Sequence, residues 1–283
     1  MAKKASKAKQ EGPLAGQWRR LLTPEALADY GALKAPRPKE TFDPTGAWTQ
    51  AWQVWLLQRS AGSDNHQGYI RLTRAPAPDG ASFTLAVEQA VVQAQRVVHE
   101  TRAKMVCALD ATASPQSWTV ETRLFWPSDG REVSEASVRK GGEVSNGRLH
   151  VKKDGRSRAE DLPPGAVSSN WSILEALSRP SPAAPLPAFT VLDELDKMKG
   201  PRRLTRGEAT QIRFGDETVH VDVFRDTGHG SLPWVYYLDD NRRLLLALSG
   251  LRAYILCADV ETRHRQALKA LGRRRQEDGT EDE

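Results

Sequence analysis

The chain has 283 residues, of which 39% are hydrophobic and 27% charged, with a formal net charge of +5. That supplies enough apolar material for one large or two ordinary buried cores, and no window approaches the 18 or so consecutive apolar residues that a spanning helix requires. The positive excess sits at the ends, on Lys3, Lys4, Lys7 and Lys9 and on Arg263, Arg265, Lys269, Arg273, Arg274 and Arg275, so a general attraction to nucleic acid is not implied for the middle.

Residues 1–46 read as a basic leader, a short helix and a Pro-rich connector. The lysines run into Gln10-Glu11-Gly12-Pro13 rather than an apolar stretch, so no export signal is encoded as written. A cytoplasmic location is expected, or a periplasmic one if the true N-terminus differs. Thr23-Pro24-Glu25 supplies an N-cap, a proline at the first helical position and an acidic first turn, with Ala26, Leu27 and Tyr30 following. Trp18, Leu21 and Leu22 are expected to dock on the main domain, because together they would make a sticky exposed patch. Three prolines in 34–44 make an extended connector.

Residues 47–258 change to period two, the signature of a β domain. Trp48, Trp52, Val54 and Leu56 share one strand face, and strands follow at 68–74 (Ile70, Leu72) and 81–94 (Phe83, Leu85, Val87, Val91). In 95–109 the residues Val97, His99, Thr101, Ala103, Met105, Cys107 and Leu109 form the inward face, with Arg96, Glu100, Arg102 and Lys104 outward. In 118–126 the inward set is Trp118, Val120, Thr122, Leu124 and Trp126, and Thr119, Glu121 and Arg123 point out. Asn146-Gly147 marks a tight hairpin before Leu149 and Val151. A helix near 169–178 puts Trp171, Leu174 and Leu177 on neighbouring turns, with Ser168 or Ser169 as its N-cap, and a Pro-rich linker covers 179–187.

Strands resume with Phe189 to Leu192, Arg203-Leu204, Ile212 to Phe214 and Val219 to Phe224. Three more close the domain: Trp234 to Leu238, Leu244 to Leu248 and Ala253 to Cys257, turned by Asp239-Asp240-Asn241 and by Ser249-Gly250. Residues 259–283 read as a C-terminal helix with Ala267, Leu268 and Leu271 on one side, followed by an acidic tail.

Chemistry is sparse. Cys107 and Cys257 fall inside apolar strands and read as buried free thiols, a bridge between them being the alternative; with no Cys-x-x-Cys they do not spell a zinc site. His99 reads as a neutral core histidine. His220 and Asp222, at i and i+2 on one strand face, could orient a metal or serve as an acid-base pair, or simply form the polar face of an amphipathic strand. Asp239 and Asp240 read as turn residues. Ser231 and Ser249 lack a Gly-x-Ser-x-Gly elbow, so no catalytic residue, metal ligand or cofactor is assigned. The eight tryptophans lie on apolar phases or helices and read as core. Arg96, Arg102, Lys104 and Arg123 alternate with Glu100 and Glu121, which suits cross-strand ion pairing.

A long antiparallel meander, a short Trp-bearing helix, a linker and a returning set of strands form a familiar order. Its most recognisable pieces are Asn170-Trp171-Ser172, Gly228-x-Gly230-x-Leu232-Pro233-Trp234 and Arg252-Ala253-Tyr254-Ile255-Leu256. With these the chain resembles the curved-sheet half-barrel of bacterial lipoprotein-carrier proteins and related uncharacterised β-proteins. The resemblance implies one strongly curved antiparallel sheet with a covering helix and an apolar groove. The expected function is a non-enzymatic binding module for an apolar small molecule or a protein partner. Trp171, Leu174, Met105, Trp118 and Trp234 are the candidate groove residues. An interaction scaffold with a filled core, and a hydrolase or metal enzyme using His220 and Asp222, are the alternatives.

Overall fold

The computed structural model describes residues 22–56, 66–92, 97–126, 130–180, 186, 188–229 and 231–278. Trp18, Leu21 and Arg96 lie outside them. Leu22 is buried, and its backbone N–H donates to the carbonyl of Gly250 at 2.9 Å. The first helix, α1 (Pro24–Asp29), starts where its signals place it: Thr23 Oγ1 accepts from the N–H of Ala26 at 3.2 Å.

Period-two alternation builds most of the molecule. Strands β1 (Trp48–Leu56), β2 (His66–Pro76), β3 (Ser82–Val92), β4 (Val98–Ala108) and β5 (Pro115–Phe125) pair antiparallel in chain order. The meander continues through β6 (Val138–Ser145), β7 (Arg148–Lys153) and β8 (Arg156–Asp161). Asn146 (φ 51°) with Gly147 (φ 73°), and Asp154 (φ 47°) with Gly155 (φ 80°), turn the two hairpins β6–β7 and β7–β8. Positive φ at both central residues selects the turn whose twist matches its strands. On β4, Ala103, Met105 and Cys107 are buried and Arg102 and Lys104 exposed, as the alternation requires. Leu109, expected inward, is 44% exposed because β4 ends at Ala108 and the pleat ends with it. Gly142 of β6 is placed by Trp118: a Cβ there would lie 2.6 Å from the indole ring and 2.5 Å from the carbonyl oxygen of His150.

The returning strands are β9 (Ala166–Ser169), β10 (Phe189–Asp193), β11 (Lys197–Arg206), β12 (Thr210–Phe214), β13 (Glu217–Gly228), β14 (Trp234–Leu238), β15 (Leu244–Leu248) and β16 (Arg252–Leu256). β16 pairs with β1, with Trp52 opposite Leu256, and so joins the two halves into one sheet in which β12 is an appendage of β13. The sheet is antiparallel except between β9 and β10, which run parallel with Val167 opposite Thr190. The helix α2 (Ser172–Ser178) falls in the crossover between them, as a parallel pair demands.

Strand order runs from β8 through β1 and β16 to β9. The edge strands are therefore consecutive in the chain, separated only by residues 162–165. Fifteen strands laid flat would put those edges roughly 65 Å apart at about 4.8 Å per strand. Residues 161 to 166 reach at most about 18 Å when extended. The sheet must therefore curl until its edges meet. The curl brings β9 against the turn between β4 and β5, where Thr112 Oγ1 and Ser114 Oγ donate to the carbonyl of Val167 at 2.9 and 2.7 Å and Ser168 Oγ donates to the carbonyl of Thr112 at 2.7 Å. Lys140 Nζ reaches Asp196 at 3.2 Å, and Arg158 of β8 donates to the carbonyl of Asp196.

Inside the curl, α2 contributes Trp171, Ile173, Leu174 and Leu177 to the main core. Its N-cap position is held by Trp171 rather than by Ser168 or Ser169; Ser169 lies before it, where its Oγ accepts from the N–H of Ser172 at 2.9 Å and Ser172 Oγ accepts in return from the N–H of Ser169 at 2.9 Å. Glu175, fully buried, meets Arg74 of β2 at 2.8 Å and Arg179 at 3.1 Å. Burial raises its carboxyl above the usual range, and the two guanidinium groups oppose that rise. At the other end of the helix Arg242 donates to the carbonyl of Leu177 at 2.6 Å.

Outside the curl, α3 (Val260–Asp278) lies over β2 and β1, and its Leu268 packs with Tyr69 and Phe125 against a small separate core of Ala90, Val92 and Val98. Cys107 and Cys257 are buried free thiols. Burial raises both; Cys257, which also donates to Asp259 at 2.9 Å, is pushed up to about 12. No described helix is long and apolar enough to cross a membrane.

The variant Met105→Asp is expected to lose several kcal/mol or fail to fold, while Lys104→Asp stays within about 0.5 kcal/mol of wild type in urea unfolding. Glu175→Ala should cost about 3–5 kcal/mol by leaving Arg74 buried without its partner. The joint change Glu175→Met with Arg74→Met should recover most of that loss in the same assay.

Candidate functional site

Between α2 and the wall formed by β11, β13, β14 and β16 lies a cavity of about 540 Å³. The wall follows from register. Trp234 is paired with Asp226 and Tyr236 with Phe224, so Asp226 and Tyr236 are diagonal neighbours. Arg202 is paired with Gly228 while Leu204 is paired with Asp226, which sets Arg202 diagonal to Asp226 across β11 and β13. Gly228 is needed there, since a Cβ would come within 2.9 Å of both Arg202 Cγ and the carbonyl oxygen of Pro201.

Arg202 and Asp226 are 5% and 2% exposed. Arg202 Nε donates to Asp226 Oδ1 at 2.8 Å, and Tyr236 lies beside the same carboxylate. Burial raises the Asp226 carboxyl, with Arg202 and Tyr236 opposing, and burial with the Asp226 charge holds Tyr236 neutral. The Nη2 of Arg202 is buried with no partner.

Aromatic rings frame this network. Trp234 stacks on Tyr236 at 6.2 Å between centroids, 10° from parallel, and meets Tyr254 at 5.2 Å. Ile173 and Leu174 of α2 and Val191 of β10 complete the apolar lining, and Leu232 and Leu251, 55% and 48% exposed, stand at its margin.

Of the residues proposed from sequence, Leu174 and Trp234 line the cavity. Trp171, Met105 and Trp118 are buried in the main core, with the Ser169 hydroxyl 3.9 Å from the Met105 sulfur. His220 and Asp222 are not brought together as a pair: His220 Nδ1 lies 2.9 Å from Asp240 Oδ1, while Asp222 binds Arg206 at 2.7 Å and Arg242 at 3.3 Å. Asp222 thereby steadies the arginine that caps α2. Asp239 is a turn residue as expected, its Oδ1 accepting from the N–H groups of Asn241 and Arg243 at 3.0 and 2.8 Å. His99 is half-buried, and burial lowers its pKa. Among the described residues no cluster of three or more His, Cys, Asp or Glu side chains could hold a metal ion.

A larger depression, about 1000 Å³, lies on the outward face of β4 to β7. Its floor is the alternating charge of that face, where Arg123 and Arg139 both reach Glu121 at 3.0 Å. It lacks the aromatic framing of the cavity under α2.

No family model matches the chain, and no curated protein matches it significantly. The lipoprotein-carrier resemblance thus finds no support from a family model. Among solved structures the chain is similar to a β-barrel-like protein of domain of unknown function DUF1849 from Brucella abortus. The identity is 12% and the TM-score 0.46, over 75% of this chain and 95% of the other.

Because Asp226 has its pKa raised in the folded state, the native protein binds the proton more tightly than the unfolded chain does. Its contribution to stability is present below the unfolded carboxylate value and is lost as pH rises through the folded one. The stability margin of wild type over Asp226→Asn should therefore shrink between strongly acidic and neutral pH, measured by urea unfolding across a pH series.

Proposed function

We propose that the protein is a non-enzymatic binding module that holds a small apolar ligand in the cavity beneath α2. The observation that carries this is the cavity itself. Its volume, about 540 Å³, falls within the range of roughly 300–1,000 Å³ typical of small-molecule sites. Its walls combine an apolar side of Leu174, Ile173, Val191, Trp234 and Tyr254 with a charged side that includes Asp193, Glu194, Lys199, Arg202, Asp226 and Arg252. The exposed Leu232 and Leu251 at its margin give an arriving apolar molecule a first contact. In this reading Leu174 and Trp234 touch the ligand. Trp171, Met105 and Trp118 belong to the continuous core that fixes the helix and the sheet.

An interaction scaffold with a filled core is the rival, and the close packing around Trp118 and Trp171 supports it. Titration with the neutral fluorophore 1-aminoanthracene separates the two. Wild type is expected to bind it saturably, Leu251→Asp about fivefold to tenfold more weakly, and His220→Ala unchanged. Absence of saturable binding by a folded protein would remove the binding reading and leave the scaffold.

A further inference from the structure

Arg202 stands at the wall of the cavity with part of its guanidinium unpaired. It is 5% exposed, it lines the cavity, and its Nη2 has no hydrogen-bond partner although its Nε is bound to Asp226. A buried donor left unmade is costly, more so on a charged group. Asp226 takes the Arg202 Nε, and the guanidinium keeps N–H donors on its Nη groups, of which Nη2 is buried without a partner.

The charge around that donor decides what it accepts. Asp226 neutralises Arg202, and the charged side chains lining the cavity are Lys199, Arg202 and Arg252 against Asp193, Glu194 and Asp226, three of each sign. Lys199 is itself tied to Asp193 at 2.6 Å. An entering anion at Arg202 would bring a second negative charge beside the Asp226 carboxylate in a buried setting. A neutral oxygen acceptor needs only the free N–H.

We propose that the cavity takes a ligand with an apolar body and a neutral acceptor, such as an ester, amide or ketone carbonyl, to which Arg202 Nη2 donates; this rests on the binding reading above. The apolar body lies along Trp234, Tyr254 and Leu174, and the carbonyl stands at the Arg202 end. The inference adds a selection rule: among molecules of equal size, the ester is preferred to both the hydrocarbon and the carboxylate.

Displacement of bound 1-aminoanthracene by methyl hexanoate, hexanoate and heptane at pH 8 tests the rule. Methyl hexanoate is expected to bind about tenfold more tightly than either of the others. The joint variant Arg202→Gln with Asp226→Asn, which leaves no unpaired buried charge, should bring the ester down to the affinity of heptane and leave heptane unchanged. Equal affinities for ester and heptane in wild type would overturn the inference while leaving the binding reading standing, and tightest binding of hexanoate would replace it with an anion site. Failure of all three probes and of the fluorophore would overturn both readings. An ester preference that survives in the joint variant would show that Arg202 is not the donor. Should that variant not fold, the wild-type ranking of the three probes decides alone.

Discussion

The link of residues 162–165 governs the whole architecture. It joins the first and last strands of a fifteen-strand path, so the sheet has no freedom to lie open. Twist alone bends a large sheet, but a tether this short makes curling obligatory. Once the edges are held together, inward side chains from opposite sides face a common interior, and something must fill it. Trp52, Phe83, Met105, Phe189 and α2 do so. Where the filling stops, beside β14 and β16, the cavity begins.

The helix that fills most of this space is held by charge as well as by apolar contact. A buried Arg–Glu pair adds little net stability compared with well-packed hydrocarbon, but it can be made in only a narrow range of positions. Arg74 also donates to the carbonyls of Thr45 and Gly46 at 2.6 Å, and Arg242 stands over the Phe224 ring at 5.0 Å while it caps Leu177. Leucines alone would tolerate rotation of a two-turn helix. With guanidinium groups at both Glu175 and Leu177, the rotation and depth of Leu174 against Trp234 are set.

Strand phase was legible in the sequence wherever one face is core and the other water, as with Ala103, Met105 and Cys107 against Arg102 and Lys104. So were the turns whose chemistry is local, at Asn146-Gly147 and Asp239. The pairing of β1 with β16 was not, because apolar runs at 48–56 and 252–256 carry no address for each other. The outward burial of Ala90, Val92 and Val98 was missed for a related reason: α3 reaches that face only in three dimensions. Within the candidate site, Leu174 and Trp234 were readable as large apolar residues in the right elements. Arg202 was not. It stands in the run Lys197–Arg206, of which only Arg203-Leu204 was read as strand, and its burial depends on Gly228 opposite and Asp226 diagonal to it. The Asp154-Gly155 pair was an available hairpin signal, of the same kind as Asn146-Gly147.

Hydroxyl groups, one lysine and one arginine join the two sides of the curled sheet, whereas the ladder of backbone bonds stops at β8 on one side and at β9 on the other. A sheet that does not zip itself shut keeps a row of free amides and carbonyls, and such a row can nucleate intermolecular stacking. β8 is composed against that outcome: Arg156, Arg158, Glu160 and Asp161 load six residues with four charges, and nearly all of the strand lies in water. Any second chain aligning there would have to strip those side chains of solvent. The open wall is thus kept solitary by the hydration of its charged side chains, and the molecule can retain an unsealed sheet without becoming a template for fibres.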